Sequence, residues 1–310
     1  MRVWLSLFGL AASALAGPNS EPPRPPHSTS AIVPVETDSS SASAASDDAL
    51  VHSLSDLEIW DNGLCEMSYY RAVDQVYGTS CDYVRVHLVN RQWMGRESGV
   101  KVEPGDADAV AVFKLNIAEE IPTENYNYRY LTTVFLERPD LSPFKMVTST
   151  QEWCGATFKQ LRWSSEGGTL KTLSYFGDEG DTQAVFRGDA VPFEALYLIA
   201  RDVAAGGKAR TVQLLARMRS NHAVEPVVRE VQLVPGPIQS VTVASGRYSA
   251  RRVDLIWDGP QTGFLVEAVA PYRLLRFRAG STRGELLAVE RRAYWDRNKK
   301  SAFHKPGEAP

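Results

Sequence analysis

Two short segments concentrate the side chains that could do chemistry. Ser149-Thr150-Gln151-Glu152-Trp153-Cys154-Gly155 puts a thiol two residues from a carboxylate, beside an indole and an amide. If the segment ends a strand, alternation sets Glu152 with Cys154 on one face and Gln151 with Trp153 on the other. A cysteine nucleophile needs its thiolate stabilised by a base or a cation, normally a histidine within hydrogen-bond reach. The histidines beyond the N-terminal region are His87, His222 and His304, and none stands in a protease or transferase motif. The competing assignment is structural: Trp153 fills a core while Gln151 and Glu152 satisfy backbone groups at the strand end. The second segment, Tyr175-Phe176-Gly177-Asp178-Glu179-Gly180-Asp181, sets Asp178, Glu179 and Asp181 around a tight turn. Carboxylates this close suit Ca²⁺, but the ligand alternation of an EF-hand loop is missing. The acid and base of a glycoside hydrolase normally come from different strands, so a plain hairpin turn accounts for the spacing.

The motifs that are missing narrow the function further. The chain has no Gly-rich phosphate loop, His-Glu-x-x-His helix, Gly-x-Ser-x-Gly elbow or Cys-x-x-Cys pair, which argues against the common hydrolase and nucleotide-dependent classes and leaves room only for a noncanonical enzyme. It also has no Asn-x-Ser/Thr sequon. Nothing calls for a metal or another cofactor. A net charge of -3 over 310 residues gives no global attraction to nucleic acid. No apolar run reaches the roughly 20 residues that cross a bilayer as a helix, so no transmembrane segment is expected in the mature chain.

The elements that must position these segments read as strands. Val110 to Ile117 alternates so that Ala111, Phe113, Leu115 and Ile117 share a face. Strands are expected over 130–137 and 144–154, with Arg138-Pro139-Asp140 as the turn between them. Further strands are expected over 157–163, 170–176, 211–218, 226–233, 248–257, 264–269, 273–278 and 285–294. One segment departs from strand texture: Asp189 can cap a helix with the apolar stripe Phe193, Leu196, Tyr197, Ala200 and Val203, closed by Gly206-Gly207. The fold class is therefore mainly β, with antiparallel meandering sheets forming a sandwich or an open barrel around one central α-helix.

The domain plan follows from composition. Met1-Arg2, the apolar stretch Val3 to Leu15 and the small residues before Gly17 fit a signal peptide over 1–16. Residues 17–55, rich in Pro, Ser and Ala, read as a disordered linker. A β-rich half over 56–205, ending in the helix, precedes a second over 206–298 and a tail over 299–310. The charge is split as well: residues 1–200 carry 15 basic and 27 acidic residues, and 201–310 carry 19 and 10. Either the halves attract each other, or Arg247, Arg251, Arg252, Arg273, Arg276, Arg278, Arg283, Arg291 and Arg292 form an anion-binding face.

Export would place the chain in a secreted or periplasmic setting, where thiols tend to pair or be buried apart. Three cysteines allow at most one internal bridge. Proximity favours Cys65 with Cys81 and leaves Cys154 free; the alternative is that all three are buried and reduced.

The Trp60-Asp61-Asn62-Gly63 opening, Phe113-Lys114-Leu115-Asn116, the Tyr126 to Phe135 stretch, the Gln151-Glu152-Trp153-Cys154-Gly155 motif with Lys159, and Ser174 to Asp181 resemble a poorly characterised family of exported bacterial β-rich proteins. The resemblance covers roughly residues 57–198. It implies an envelope location and a β fold, implies no reaction, and adds Asn116 to the candidate site residues. Cys65 and Cys81 depart from its pattern, which agrees with pairing them.

The leading functional expectation is a cell-envelope protein, a non-enzymatic binding module for a lipid, a glycan or another envelope component. Its site would draw on Asn116, Gln151, Glu152, Trp153, Cys154, Tyr175, Asp178, Glu179 and Asp181 in a concave sheet lined by aromatic residues. The alternatives are a hydrolase or transferase using Glu152 with Cys154 or the Asp178, Glu179 and Asp181 cluster, and a structural or assembly partner of another surface protein.

Overall fold

The computed structural model describes residues 53–296. The expected signal peptide, residues 17–52 of the linker and the tail from 299 lie outside the described residues. A single 15-stranded sheet, antiparallel except where its last strand in space joins its neighbour in parallel, is nearly closed into a barrel, as the mainly-β reading with an open barrel and one helix anticipates. The first eight strands are β1 (Cys65–Val76), β2 (Thr79–Gly95), β3 (Ala109–Ile121), β4 (Tyr128–Glu137), β5 (Pro143–Glu152), β6 (Gly155–Ser164), β7 (Gly167–Leu173) and β8 (Asp181–Phe186). The others are β9 (Ala190–Pro192), β10 (Arg210–Leu215), β11 (Val228–Val243), β12 (Gly246–Ile256), β13 (Thr262–Glu267), β14 (Leu274–Ala279) and β15 (Thr282–Arg292). In space the order runs from β8 to β1 and then from β15 to β9. The first and last strands therefore pair, and the two β-rich halves belong to one sheet.

The helix α1 (Leu196–Gly206) follows the 3₁₀ turn Phe193–Ala195. Asp189 does not cap it. Strand β9 intervenes, so the Asp189 carboxylate accepts from Arg187 instead, and Ala195 stands at the N-cap with no side-chain bond. The expected stop is as read: Gly207 takes φ +64° and its N–H reaches Val203 O at 3.0 Å. Leu196 to Arg201 are buried without interruption, because this part of the helix lies inside the curled sheet, and only Asp202, Ala205 and Gly206 toward its C-terminal end are half-buried.

The folded body starts earlier than the expected boundary at residue 56. Ser53 caps a 3₁₀ turn over Leu54–Asp56 with a reciprocal capping box, and Leu54 is fully buried. Asp202 of α1 accepts from the Leu54 N–H at 3.1 Å, which ties this turn to the helix.

The Cys65–Cys81 disulfide is corrected by register. In the β1–β2 hairpin Cys81 stands opposite Asp74, nine residues along β1 from Cys65. That is about 30 Å of strand, whereas a disulfide needs Cα atoms within about 7 Å. All three cysteines are free thiols, with Cys65 and Cys81 buried and Cys154 exposed. Burial pushes the Cys65 thiol up to about 12, so it has no thiolate character at neutral pH.

The charge split is used across the β1–β15 seam. Arg201 of α1 pairs with Glu66 of β1 at 2.7 Å, both buried. Arg219 pairs with Asp74 of β1 at 2.7 Å and Glu119 of β3 at 2.9 Å. Among the described residues no helix is long and apolar enough to cross a membrane.

Candidate functional site

An antiparallel meander sends every second connection to the same end of the sheet. The loops β1–β2, β3–β4, β5–β6 and β7–β8 therefore meet at one end, together with the β10–β11 connection over residues 216–227 and the β14–β15 turn. This loop-bearing end holds nearly all the chemistry the sequence offers.

Beneath the loops the inner face of the sheet changes in layers. His87, Ile117, Thr132, Thr148, Lys159 and Thr172 form one ring of register partners from β2 to β7. The next ring toward the loops contains Arg85, Glu119, Tyr130, Thr150 and Thr157. The 216–227 connection crosses over these rings and completes them. Arg219 bonds Glu119 and Asp74 and lies over the Tyr130 ring, 4.4 Å from its centroid. Ser220 O accepts from Lys159 Nζ at 2.7 Å, and Glu194 Oε1 accepts the Met218 and Arg219 N–H groups. Ser281 and Thr282 hydroxyls donate to Asp74 at 2.8 and 3.0 Å.

The electrostatics follow from this enclosure. Burial pushes Glu119 up, but Arg219, Arg85 and Arg217 together with the Tyr83 hydroxyl outweigh it and hold the carboxyl at about 2. Burial holds Lys159 down to about 8 against the opposing pull of Glu194 and Glu179. Burial, reinforced by Arg85, drives His87 well below the usual range, so the imidazole is neutral and its Nε2 accepts from Arg85 Nε at 2.9 Å. The polar interior is thus filled by the chain's own connection, and the concave sheet expected to take a ligand is occupied by α1 and by Arg219.

The aromatic residues that remain outside are on the loops. Trp153 and Cys154 are the two central residues of the β5–β6 turn, with Glu152 and Gly155 as its closing pair. The turn ends the face alternation expected for Glu152 and Cys154. Trp153 is 84% exposed and does not fill a core. It stacks on Tyr126 of the β3–β4 loop, with centroids 5.8 Å apart and planes within 20°. Tyr126 also shares a hydrogen bond with Cys154 Sγ at 3.0 Å. The row continues through Tyr128 to Tyr77, whose hydroxyls meet at 2.6 Å. Gly155 takes φ +155°, and a Cβ there would lie 2.3 Å from Cγ of Tyr175, so the absent side chain lets the Tyr175 ring cover the turn.

The expected site residues separate into those that gather at this end and one that does not. Gln151 is exposed beside Trp153, and Glu152 Oε1 accepts from Asn221 at 2.9 Å. Glu179 accepts from the Ser174 hydroxyl, from the Ala223 N–H at 2.7 Å, and meets His222 Nδ1 at 2.7 Å. Burial pushes Glu179 up, and those hydrogen bonds prevail and hold it below the usual carboxylate range. Phe176 stacks on His222 at 4.0 Å. Asp178 and Asp181 are exposed at either side of Glu179, and among the described residues no group of three or more His, Cys, Asp or Glu side chains is placed to hold a metal ion. Asn116 stands apart: it lies on the outer face of β3, where it accepts from the Thr133 hydroxyl at 2.8 Å.

A groove of about 480 Å³ opens between the β3–β4 loop and the β5–β6 turn, lined by Asn125, Tyr126, Asn127, Arg129, Gln151 and Trp153 among others. Comparison of the chain with protein-family models, with curated proteins and with solved structures finds no match. Tyr77, Asn125, Asn127 and Arg129 were not singled out from the residues alone. The signal that could have found them is connectivity, because in a meander the first, third, fifth and seventh hairpin loops must share an end.

Proposed function

We propose that the chain is an exported binding module for an envelope glycan, which it takes at the loop-bearing end of the barrel. The observation that carries this reading is Trp153, 84% exposed yet held by the stacked Tyr126 ring at the edge of a groove with three amide side chains and a guanidinium. A large exposed indole is informative in a way that an exposed leucine is not. A sugar ring offers an apolar face to an aromatic platform and hydroxyls to planar amides, which is the mixture this groove presents. A lipid tail would call for a more apolar wall than Asn125, Asn127, Arg129 and Gln151 supply. The hydrolase or transferase alternative finds less support, since Cys154 has Tyr126 as its partner and Glu152 is engaged by Asn221.

Isothermal titration of the full chain with soluble peptidoglycan fragments and with N-acetylglucosamine oligomers tests the reading. Trp153→Ala is expected to weaken binding by about tenfold or more, as for a central aromatic anchor. No binding to either probe, or equal binding by the variant, would remove the proposal.

A further inference from the structure

The candidate anion face of the C-terminal half is sorted by the structure into engaged and unengaged arginines. Arg247, Arg251, Arg273, Arg291 and Arg292 are each tied to a protein oxygen. Arg252 is paired with Asp254 and Arg276 with Glu285, both at close range. Arg278 and Arg283 have no partner among the described residues, although they stand directly opposite each other in the β14–β15 pair. Both point outward, since Phe277 and Gly284 between and beside them face the core.

Register extends this pair into a site. Asp254, Gly263, Arg278 and Arg283 form one outward row across β12 to β15. The next row holds Arg252, Leu265, Arg276, Glu285 and, from β1, Arg71. Gly263 contributes no side chain, the Asp254 carboxylate lies 3.0 Å from where its Cβ would be, and a groove of about 560 Å³ opens here with these arginines on its walls. Arg71 is likewise unpartnered among the described residues. The groove thus carries five guanidinium groups against two carboxylates, and both carboxylates are committed to Arg252 and Arg276.

Like charges at directly opposed positions destabilise a sheet, and among the described residues no carboxylate is paired with either arginine. An anion carrying more than one negative charge would. Guanidinium forks match the tetrahedral oxygens of such an anion two at a time. We propose that this outer groove binds a phosphate group, held between Arg278 and Arg283 with Arg71 beside it. The site lies on a different face from the Trp153 groove and stands or falls independently of it.

The test is thermal unfolding and isothermal titration of the full chain with pyrophosphate, with sodium chloride at matched ionic strength as the control. Wild type is expected to bind pyrophosphate saturably and to melt higher with it than with chloride. Arg278→Gln with Arg283→Gln should weaken binding by roughly tenfold or more, the loss of charge-assisted hydrogen bonds. In phosphate-free buffer the same variant should melt at or above wild type, because the repulsion is gone. Arg247→Gln, outside the groove, should bind as wild type does. Vesicles of phosphatidylglycerol distinguish the source: sedimentation that depends on Arg278 and Arg283 assigns the phosphate to a lipid headgroup. Pyrophosphate binding without such sedimentation assigns it to a soluble phosphate. No advantage of pyrophosphate over chloride, or equal loss in Arg247→Gln, would overturn the site.

Discussion

The inner ring of Val89, Leu115, Val134, Met146 and Leu161 is apolar throughout, while four residues further along the same strands the ring is Arg85, Glu119, Tyr130, Thr150 and Thr157. Each side chain of the first ring is satisfied by any neighbour of the right size, so it packs within the sheet and against Phe113 and Trp60, whose rings meet edge-on at 5.4 Å. The second ring is satisfied only by particular partners. Beside Arg85 it needs Arg219, supplied by a connection 100 residues away from Glu119, to pair with Glu119 and with Asp74 of β1. One layer of the barrel interior is thus held by nonspecific packing and the layer nearer the loops by a specific ionic plug. This difference explains why the exposed aromatic residues could collect at the plugged end: the interior there is sealed by Arg219 and does not need them.

The largest expected effect tests that contrast directly. Arg219→Met strips Asp74 of its paired guanidinium and leaves Glu119 with only Arg85, 3.6 Å away, and should cost about 3–5 kcal/mol in denaturant unfolding at neutral pH. Phe113→Ala should cost a similar amount, about 3–5 kcal/mol, by cavity formation. The two must then separate with pH. Lowering the pH to 4 should shrink the Arg219→Met loss, because Glu119 can take a proton, and leave the Phe113→Ala loss unchanged. Equal behaviour of both variants would break the comparison.

The acid limb follows in size. Glu119 is held at about 2 in the fold against an ordinary 4.5, so between those values the unfolded chain binds more protons. Stability from this group is complete above 4.5 and is lost as the pH falls through about 2. Glu119→Gln should flatten the stability profile in that window. On the alkaline side Lys159 sits at about 8 against 10.5, so the unfolded chain again binds more protons, and stability should rise between pH 8 and 10.5. Lys159→Met should abolish the rise. An unchanged slope in either variant would show that another group carries it.

A smaller effect is expected at the turn. Gly155→Ala should destabilise by about 1–3 kcal/mol through its φ and the displaced Tyr175 ring, with NMR changes confined to the β5–β6 and β7–β8 loops. The smallest involves no stability change. Iodoacetamide should modify Cys154 in the native protein and reach Cys65 and Cys81 only after unfolding, a difference mass spectrometry reads directly. Native labelling of Cys81 would mean that the β1–β2 end opens.

Strands were legible where one face is apolar. Residues 110–117 alternate, and β3 occupies Ala109–Ile121. β1 and β2 were not marked out as strands because their inward positions hold Glu66, Ser68, Asp74, Arg85 and His87, which hide the period that burial normally writes. The helix was legible from its spacing, but its cap was misassigned because the short β9 left no trace in the pattern. Of the candidate site, the β5–β6 and β7–β8 segments were found by composition alone. Their meeting with Tyr77, Tyr126 and His222 was not, since those residues are far apart in the chain and unremarkable where they stand.

Local chemistry therefore determined the element types, the antiparallel class and the two segments worth attention, because alternation and turn residues act over a few neighbours. Register, ring closure by β1 and β15, and the partners of each buried charge were decided only by the tertiary structure. The reason is physical: a strand's inward charge is acceptable or ruinous according to what another strand places opposite it. No window of sequence around Glu119 contains Arg219, just as none around Cys65 reveals that Cys81 lies at the far end of the same hairpin.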